Sequence, residues 1–162
     1  MPKVTPSMRR EASRPASAVC GMVAPSWLVG RLGDPALRVV DVRPLAAYEE
    51  GHVPGAVHLD VRNGLFDGEG ALVSALELAR VMSTLGVGDE HTIVLVGDGP
   101  EIATTAAVRA LVRYGHDAVF ILEGGHRRWV GELCAITKTR PTYGAKTFTA
   151  RLSPETWWHG TP

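Results

Sequence analysis

The residues best placed to do chemistry lie between Gly97 and Thr105, in the sequence G-D-G-P-E-I-A-T-T. They follow the apolar run I-V-L-V at 93–96, which is typical of a strand buried on both faces of a parallel sheet. Helix-forming residues follow from 101 to 114. Backbone N–H groups and a helix dipole converge on such a strand-to-helix loop and favour an anion. The sequence therefore predicts a catalytic or binding loop here.

The charged side chains of this predicted loop are both acidic, and the loop contains no evident nucleophile. Asp98 and Glu101 are carboxylates, Pro100 removes one backbone N–H donor, and no Lys or Arg lies between Asp98 and Thr105. Two acids would repel an anionic ligand instead of holding it. The candidate loop comprises Asp98, Gly99, Pro100, Glu101, Ile102, Ala103 and Thr104.

Short apolar strands that alternate with helices must position this loop. Predicted strands cover residues 37–42, 56–59, 93–96 and 118–122, and predicted helices cover residues 24–33, 45–50, 76–85, 101–114 and 126–134. Residues 61–71 are rich in Gly and Asp and predict a loop, and Ser74 with Glu77 predicts a capping box before a helix. The expected buried stripe of that helix is Leu76, Ala79, Val81, Met82 and Leu85. The alternation predicts an α/β fold of three layers, a mainly parallel sheet with helices on both faces.

Composition limits the function classes. With 162 residues the chain is long enough for one well-packed domain, and its formal net charge of zero argues against a nucleic-acid or membrane-surface partner. The longest apolar run falls well short of the roughly 18 residues of a membrane-spanning helix. Cys20 and Cys134 form no CxxC motif, so we expect a reduced cytoplasmic protein, although a disulfide between them is possible. We expect neither a metal nor a cofactor.

The two ends of the chain differ from its middle. Residues 1–21 are rich in Pro and Ser and predict a disordered leader, and residues 22–136 predict the folded domain. Residues 137–162 predict a linker-like tail. Within that tail, the sequence S-P-E-T-W-W at 153–158 echoes A-P-S-W at 24–27 and could begin a second repeat.

Two longer motifs resemble those of a known family. The segment D-V-R-P-L-A-A-Y-E-E-G-H-V-P-G-A at 41–56 closely resembles the N-terminal signature of rhodanese-like domains. The pair Gly115-His116, the sequence V-F-I-L-E-G-G at 119–125 and Trp129 resemble the C-terminal signature. The resemblance covers about residues 22–135 and implies a rhodanese-like fold. The loop after Asp60 and the tail look most like the N-terminal half of a tandem thiosulfate or 3-mercaptopyruvate sulfurtransferase.

Most signature residues have a ready structural interpretation. Glycine and proline at 51, 54 and 55 suit backbone turns, and Asp41 and Arg43 suit hydrogen bonds to the loops at the end of a strand. Arg43 could also pair with Glu49 or Glu50. His52 and His58 flank a Pro-Gly turn without a third ligand nearby, so a structural or surface role is expected for both. The full signature set is Asp41, Arg43, Gly51, His52, Pro54, Gly55, Gly124, Gly125 and Trp129.

The resemblance implies a chemistry that this loop lacks. Active members carry a cysteine just after the strand that ends here at Val96, and its thiolate holds a transferred sulfur atom as a persulfide. Asp98 stands at that position, and its distance to Gly124 (124 − 98 = 26 residues) fits the family's spacing. A carboxylate cannot form a persulfide. We therefore expect no activity from this chain alone and a structural or regulatory role, with a catalytic rhodanese domain or a second copy as possible partner.

Other interpretations of the loop stay open. Asp98 could serve as a fixed negative charge at the helix N-terminus, worth about 0.3–1 kcal/mol. The chain could be a stand-alone module whose loop binds a basic side chain of a partner protein. It could also retain some sulfur transfer through Cys20 or Cys134, although the family places no nucleophile at either position.

Overall fold

The computed structural model describes residues 20–98 and 102–152. Parallel strands and helices alternate along this part of the chain, as the sequence predicts. In chain order the elements are β1 (Cys20–Val23), α1 (Pro25–Val29), β2 (Leu37–Asp41), α2 (Leu45–Glu50), β3 (Val57–His58), α3 (Val61–Gly64), α4 (Ala75–Thr84), β4 (Thr92–Val96), α5 (Ile102–Arg113), β5 (Val119–Leu122) and α6 (Gly125–Gly131).

The sheet has five strands in the order β1-β5-β4-β2-β3, and every pairing is parallel. β4 is central, between β5 and β2, and all five of its residues are buried. In the β2–β4 register, Asp41 lies beside Val96. The carboxyl end of β2 therefore meets the candidate loop at one edge of the sheet. The predicted three-layer α/β class is confirmed.

Two apolar cores cover the two faces of the sheet. Ile93 and Leu95 of β4 belong to the core with α4 and α5, whereas Val94 and Val96 belong to the core with α1, α2 and α6. Successive strand residues point to opposite faces, so one unbroken apolar strand supplies both cores. The largest fully buried side chain, Trp129, lies in the second core.

Two predictions about local structure are wrong. Cys20 and Gly21, assigned to the disordered leader, begin β1, which is added to the edge of the sheet beside β5. Residues 61–64, assigned to a loop, form the single-turn helix α3, because the Asp60 carboxylate accepts a hydrogen bond from the Asn63 amide at 3.2 Å and so caps the turn.

Several helix boundaries also differ from the prediction. α1 ends at Val29 instead of residue 33, and α6 ends at Gly131, so Cys134 lies beyond the last helix. The capping interaction at Ser74 is confirmed, since its hydroxyl accepts from the Glu77 amide at 3.2 Å. The stripe predicted for α4 is partly wrong, because Leu76 is 72% exposed and Leu78 takes its place in the core.

The segment 137–152 runs along the domain without regular secondary structure apart from one bridge between Thr137 and His52. It contributes Phe148 to the core, and its Tyr143 hydroxyl donates to the Gly55 carbonyl at 2.9 Å. Residues 1–19, 99–101 and 153–162 lie outside the described part. The leader, the possible second repeat, and Gly99, Pro100 and Glu101 of the loop therefore stay predictions.

No helix within the described ranges is long and apolar enough to cross a membrane.

Candidate functional site

The candidate loop begins where β4 leaves the sheet. The Val96 carbonyl accepts from the Val42 amide at 2.9 Å, and the Gly97 carbonyl accepts from the His126 amide at 2.7 Å. These bonds tie the end of β4 to β2 on one side and to the start of α6 on the other. Gly97 is buried, whereas Asp98, one residue further, is exposed. The carboxylate therefore stands at the solvent-facing start of the loop.

The far side of the loop is the first turn of α5. Ile102 is 90% exposed, Ala103 is half-buried, and Thr104 is only 3% exposed. The Thr104 hydroxyl has no hydrogen-bond partner in the part of the chain that the structure describes. The predicted loop residues therefore divide into an exposed group, Asp98 and Ile102, and a buried hydroxyl facing the core.

A buried ion pair between Asp41 and Arg43 lies at the carboxyl end of β2, next to the start of the loop. Arg43 Nη2 lies 2.8 Å from Asp41 Oδ2, and Nε lies 3.1 Å from both carboxylate oxygens. The exposed fractions are 4% for Arg43 and 0% for Asp41. Arg43 Nη2 also donates to the Gly51 carbonyl at 2.8 Å. The predicted hydrogen bond of Arg43 to a loop is confirmed, whereas the predicted ion pair with Glu49 or Glu50 is wrong, because Asp41 is the partner.

The remaining residues of the first signature form one packed unit. The Tyr48 hydroxyl donates to the Ala56 carbonyl at 2.7 Å, and the Tyr48 ring stacks on the buried His52 ring at a centroid distance of 3.9 Å. The two His52 ring nitrogens each lie 2.8 Å from a carbonyl oxygen, of Tyr48 and of Thr139. His52 is therefore enclosed by backbone and structural, as predicted.

A tight turn at Pro54-Gly55 closes this unit. The Ala56 amide donates to the Val53 carbonyl at 3.0 Å, and Gly55 has φ of 84°. A positive φ at the third turn position is the type II geometry that glycine adopts without strain. The predicted turn role of the Pro-Gly pair is confirmed.

The second signature starts α6 at the same edge of the sheet. Gly124 and Gly125 have φ of 77° and 62°, and the chain uses them to reverse direction after β5. Trp129 is fully buried, and its indole Nε1 donates to the Ala135 carbonyl at 2.8 Å. These residues hold α6 against the sheet and do not face the loop as reactive groups.

His126 is a residue of this edge that the sequence analysis missed. Its amide is bound to Gly97, and its ring Nδ1 is buried without a hydrogen-bond partner among the described residues. Burial lowers the pKa of His126, and the positive charge of Arg43 lowers it further, whereas Asp41 and Asp98 act in the opposite direction. The position directly after Gly124-Gly125 was the signal that could have found it.

Neither cysteine lies at the loop. Cys20 is the first residue of β1 and pairs with Val119 at the amino end of β5. It therefore lies where the strands begin, whereas the loop follows the end of a strand. Cys134 follows α6, beyond the end that is distant from Gly97. No group of three or more His, Cys, Asp or Glu side chains in the described ranges could hold a metal ion.

Comparison with known proteins identifies the family. The sequence pattern of the rhodanese-like domain matches residues 24–132. The sulfur carrier protein TtuD of Thermus thermophilus is 32% identical over 124 residues, which is 75% of this chain and 44% of that protein. A putative thiosulfate sulfurtransferase of Synechococcus elongatus is 30% identical over 158 residues, 93% of this chain and 47% of that protein. The chain thus spans about half the length of these curated relatives.

Solved structures agree with the sequence match. The crystal structure of SseA from Escherichia coli, which has the rhodanese fold, superposes with a TM-score of 0.75 at 26% identity, over 83% of this chain and 56% of SseA. Tum1 of Saccharomyces cerevisiae superposes with a TM-score of 0.69 at 14% identity, which shows the fold alone. The matched sequence pattern, the two structured signatures and the parallel sheet lead to one conclusion: this chain belongs to the rhodanese-like domain family.

Proposed function

We propose that this chain is a non-catalytic rhodanese-like domain, the structural or regulatory half of a sulfurtransferase, whose partner is a catalytic rhodanese domain or a second copy of itself. One observation carries the proposal. The exposed side chain that begins the loop after β4 is the Asp98 carboxylate, at the position where the family resemblance places the nucleophilic cysteine. Sulfur transfer requires a thiolate that can form a persulfide, and a carboxylate cannot replace it.

The positions of the two cysteines support the proposal. β1 is parallel to β5, so Cys20 at its first residue is separated from the loop by the length of the strands, about 13 Å for four residues. Cys134 lies beyond the end of the seven-residue α6, which spans about 10 Å. Both residues therefore lie away from the loop whose amides would stabilise an anionic sulfur.

Electrostatics at the loop argue in the same direction. Arg43 is 4% exposed and binds Asp41 and the Gly51 carbonyl, so it offers no exposed guanidinium to a donor anion. Asp98 adds a negative charge in solvent beside this pair. A thiosulfate or mercaptopyruvate anion would therefore meet repulsion at the loop.

A thiosulfate:cyanide sulfurtransferase assay on the purified chain tests the proposal. We expect the wild-type chain to show the rate of buffer. The variant Asp98→Cys, built in a Cys20→Ser/Cys134→Ser background, should gain the mass of one sulfur atom after thiosulfate treatment, because the thiolate takes the outer sulfur and sulfite leaves. The same background with Asp98 retained is the matched control and should gain none.

Two outcomes would contradict the proposal. Wild-type turnover that survives replacement of both cysteines would show that this chain transfers sulfur by another group. Wild-type turnover that is lost with one cysteine would assign the chemistry to that thiol.

The exposure of Asp98 also favours a second candidate function, a stand-alone module that binds a basic side chain of a partner protein. A partner captured by this chain should then be lost with Asp98→Ala and kept with Asp98→Glu. A partner that is a catalytic rhodanese domain and is retained by Asp98→Ala would support the first function instead.

A further inference from the structure

A groove of about 980 Å³ lies along the whole of α5, from Ile102 to Arg113, on the side of α3. Its floor and walls are mainly apolar and come from α3, from α5 and from the segment between α3 and α4. The apolar side chains that define it are Val61, Phe66, Leu72, Ile102 and Ala106. Ile102 is 90% exposed at one end of the groove. Exposed apolar surface that is continuous with a groove marks an interaction site, in contrast to an isolated exposed residue.

Three arginines line the same groove. Arg62 belongs to α3, and Arg109 and Arg113 lie one turn apart on α5. Arg62 and Arg109 are exposed, and Arg113 is half-buried. Arginine side chains at the rim of an apolar surface favour a ligand that combines apolar or aromatic groups with a carboxylate. The groove therefore suits an aromatic, acidic peptide segment.

The described chain ends next to this groove. The Arg151 amide donates to the Tyr114 carbonyl at 2.9 Å, and Tyr114 directly follows Arg113. The Tyr114 hydroxyl donates to the carbonyl of Val73, the neighbour of the groove residue Leu72. Residue 152 thus lies near the end of the groove that Arg113 and Leu72 form.

We propose that residues 153–162 of the same chain, S-P-E-T-W-W-H-G-T-P, dock in this groove. These residues lie outside the described part, and their composition matches the groove: Trp157 and Trp158 supply aromatic surface, and Glu155 supplies a carboxylate for the arginines. A buried tryptophan covers on the order of 150–250 Å². The segment therefore offers the two features that the groove selects.

The distances permit this docking within one molecule. Ten residues in extended conformation reach about 33 Å. The groove face of α5, from Arg113 back to Ile102, is about 16 Å long. The segment can therefore run from residue 152 along α5 to the helix start beside Asp98. This interaction does not depend on whether the loop is catalytic, so it goes beyond the proposed function.

Fluorine NMR of the full chain labelled with fluorotryptophan tests the docking. Trp157→Phe and Trp158→Phe assign the two resonances. We expect both resonances to differ in the native chain from their positions in denaturant, and to move toward those positions in Ile102→Asp. Leu133→Asp is the matched control, because Leu133 is 92% exposed and does not line the groove. It should leave both resonances in place.

A weaker variant tests the electrostatic part. Glu155→Lys should shift the Trp157 and Trp158 resonances partway toward their denatured positions, whereas Glu132→Lys, a charge change outside the groove, should not. Circular dichroism confirms that each variant is folded.

Three results would overturn the proposal. The first is that both resonances already coincide with their denatured positions in the native chain. The second is that Ile102→Asp leaves them unchanged in a folded protein. The third is that they move with protein concentration, which would mean that the groove holds a segment of a second copy instead.

Discussion

The two ends of the parallel strands differ in what covers them. We call the side of the sheet where the strands begin the amino edge, and the side where they end the carboxyl edge. At the amino edge, the extended segment after α6 packs over the starts of the strands: the Arg38 guanidinium lies 3.8 Å from the centre of the Tyr143 ring, and the His116 ring stacks on Phe148 at 5.2 Å. At the carboxyl edge, a buried ion pair lies beneath a loop whose first side chain, Asp98, is exposed. The amino edge is closed by the chain itself, and the carboxyl edge is left accessible.

Buried polar groups lie at both edges. At the amino edge, Arg38 Nε donates to the Gly86 carbonyl at 2.9 Å, and His91 Nδ1 accepts from the Gly88 amide at 2.8 Å. His126 Nδ1 and the Thr104 hydroxyl at the carboxyl edge, and the Thr92 hydroxyl at the amino edge, are buried without partners among the described residues. Buried polar groups without partners are uncommon and lower stability. Each edge therefore holds both hydrogen-bonded and unpartnered polar groups, and the two edges differ in what covers them.

The largest loss of stability should come from breaking the ion pair at the carboxyl edge. Arg43→Met leaves the fully buried Asp41 carboxylate without its counter-charge, and we expect the free energy of unfolding to fall by about 3–5 kcal/mol in urea melts. The matched control is Arg140→Met. It removes the pair with Glu49, which is about half exposed on each side, and should cost less than about 1 kcal/mol.

A loss below about 1 kcal/mol for Arg43→Met would contradict the distinction between the edges, because the pair would then behave like a surface ion pair.

A smaller loss should follow from loosening the amino edge. Phe148 is 5% exposed and packs on His116, so Phe148→Ala should lower the free energy of unfolding by about 2–3 kcal/mol, less than for a central core phenylalanine because the segment can detach locally. Phe148→Leu keeps most of the apolar volume and should cost under about 1.5 kcal/mol.

Amide hydrogen exchange provides the second readout for this variant. Phe148→Ala should increase exchange at Thr149, whose amide donates to Asp89 at 2.7 Å, and leave β4 protected. Equal loss of protection across β4 would show that the segment is part of the central cooperative core and not a separable cover.

The smallest effect, on pH dependence, should appear at both edges. Burial is the main cause that lowers the pKa of His91 and of His126 below the ordinary 6.5. In each case the unfolded chain takes up its proton at a higher pH than the folded chain. The contribution of each neutral histidine to the free energy of unfolding should therefore be complete above pH 6.5. As the pH falls below 6.5, the free energy of unfolding should decrease by at most about 1.4 kcal/mol per pH unit for each histidine.

Urea melts between about pH 7.5 and about pH 5, on both sides of the ordinary histidine pKa, measure this slope. His91→Gln and His126→Gln should each reduce it. An imidazole titration by NMR with a midpoint above 6.5 for either residue in the folded chain would contradict the prediction.

Much of this architecture could be predicted from local sequence. Apolar runs gave the strands at 37–41, 92–96 and 119–122, since a strand buried on both faces needs no alternation. The cap at Ser74 and the turn at Pro54-Gly55 follow from backbone chemistry within a few residues. The sequence could not predict β1 in the same way, because Cys20–Val23 is too short to stand out and is stabilised only by pairing with β5.

The candidate site shows the same limit. The signature residues indicated where the chain turns, but the acidic partners predicted for Arg43 were Glu49 and Glu50, whereas the structure places its guanidinium on Asp41. His126 gave no periodic signal, and it enters the site because Gly124 and Gly125 turn its amide toward Gly97.

The sequence by itself determined the family signatures, the alternation of strands and helices, and the presence of an acid at residue 98. Each of these depends on residue type or on spacing within one element. Only the tertiary structure decided that the segment after α6 closes the amino edge, that Cys20 lies at the edge opposite Asp98, and that three arginines line an apolar groove. Those features join residues far apart in the chain, and such contacts depend on how the elements pack and not on any local pattern.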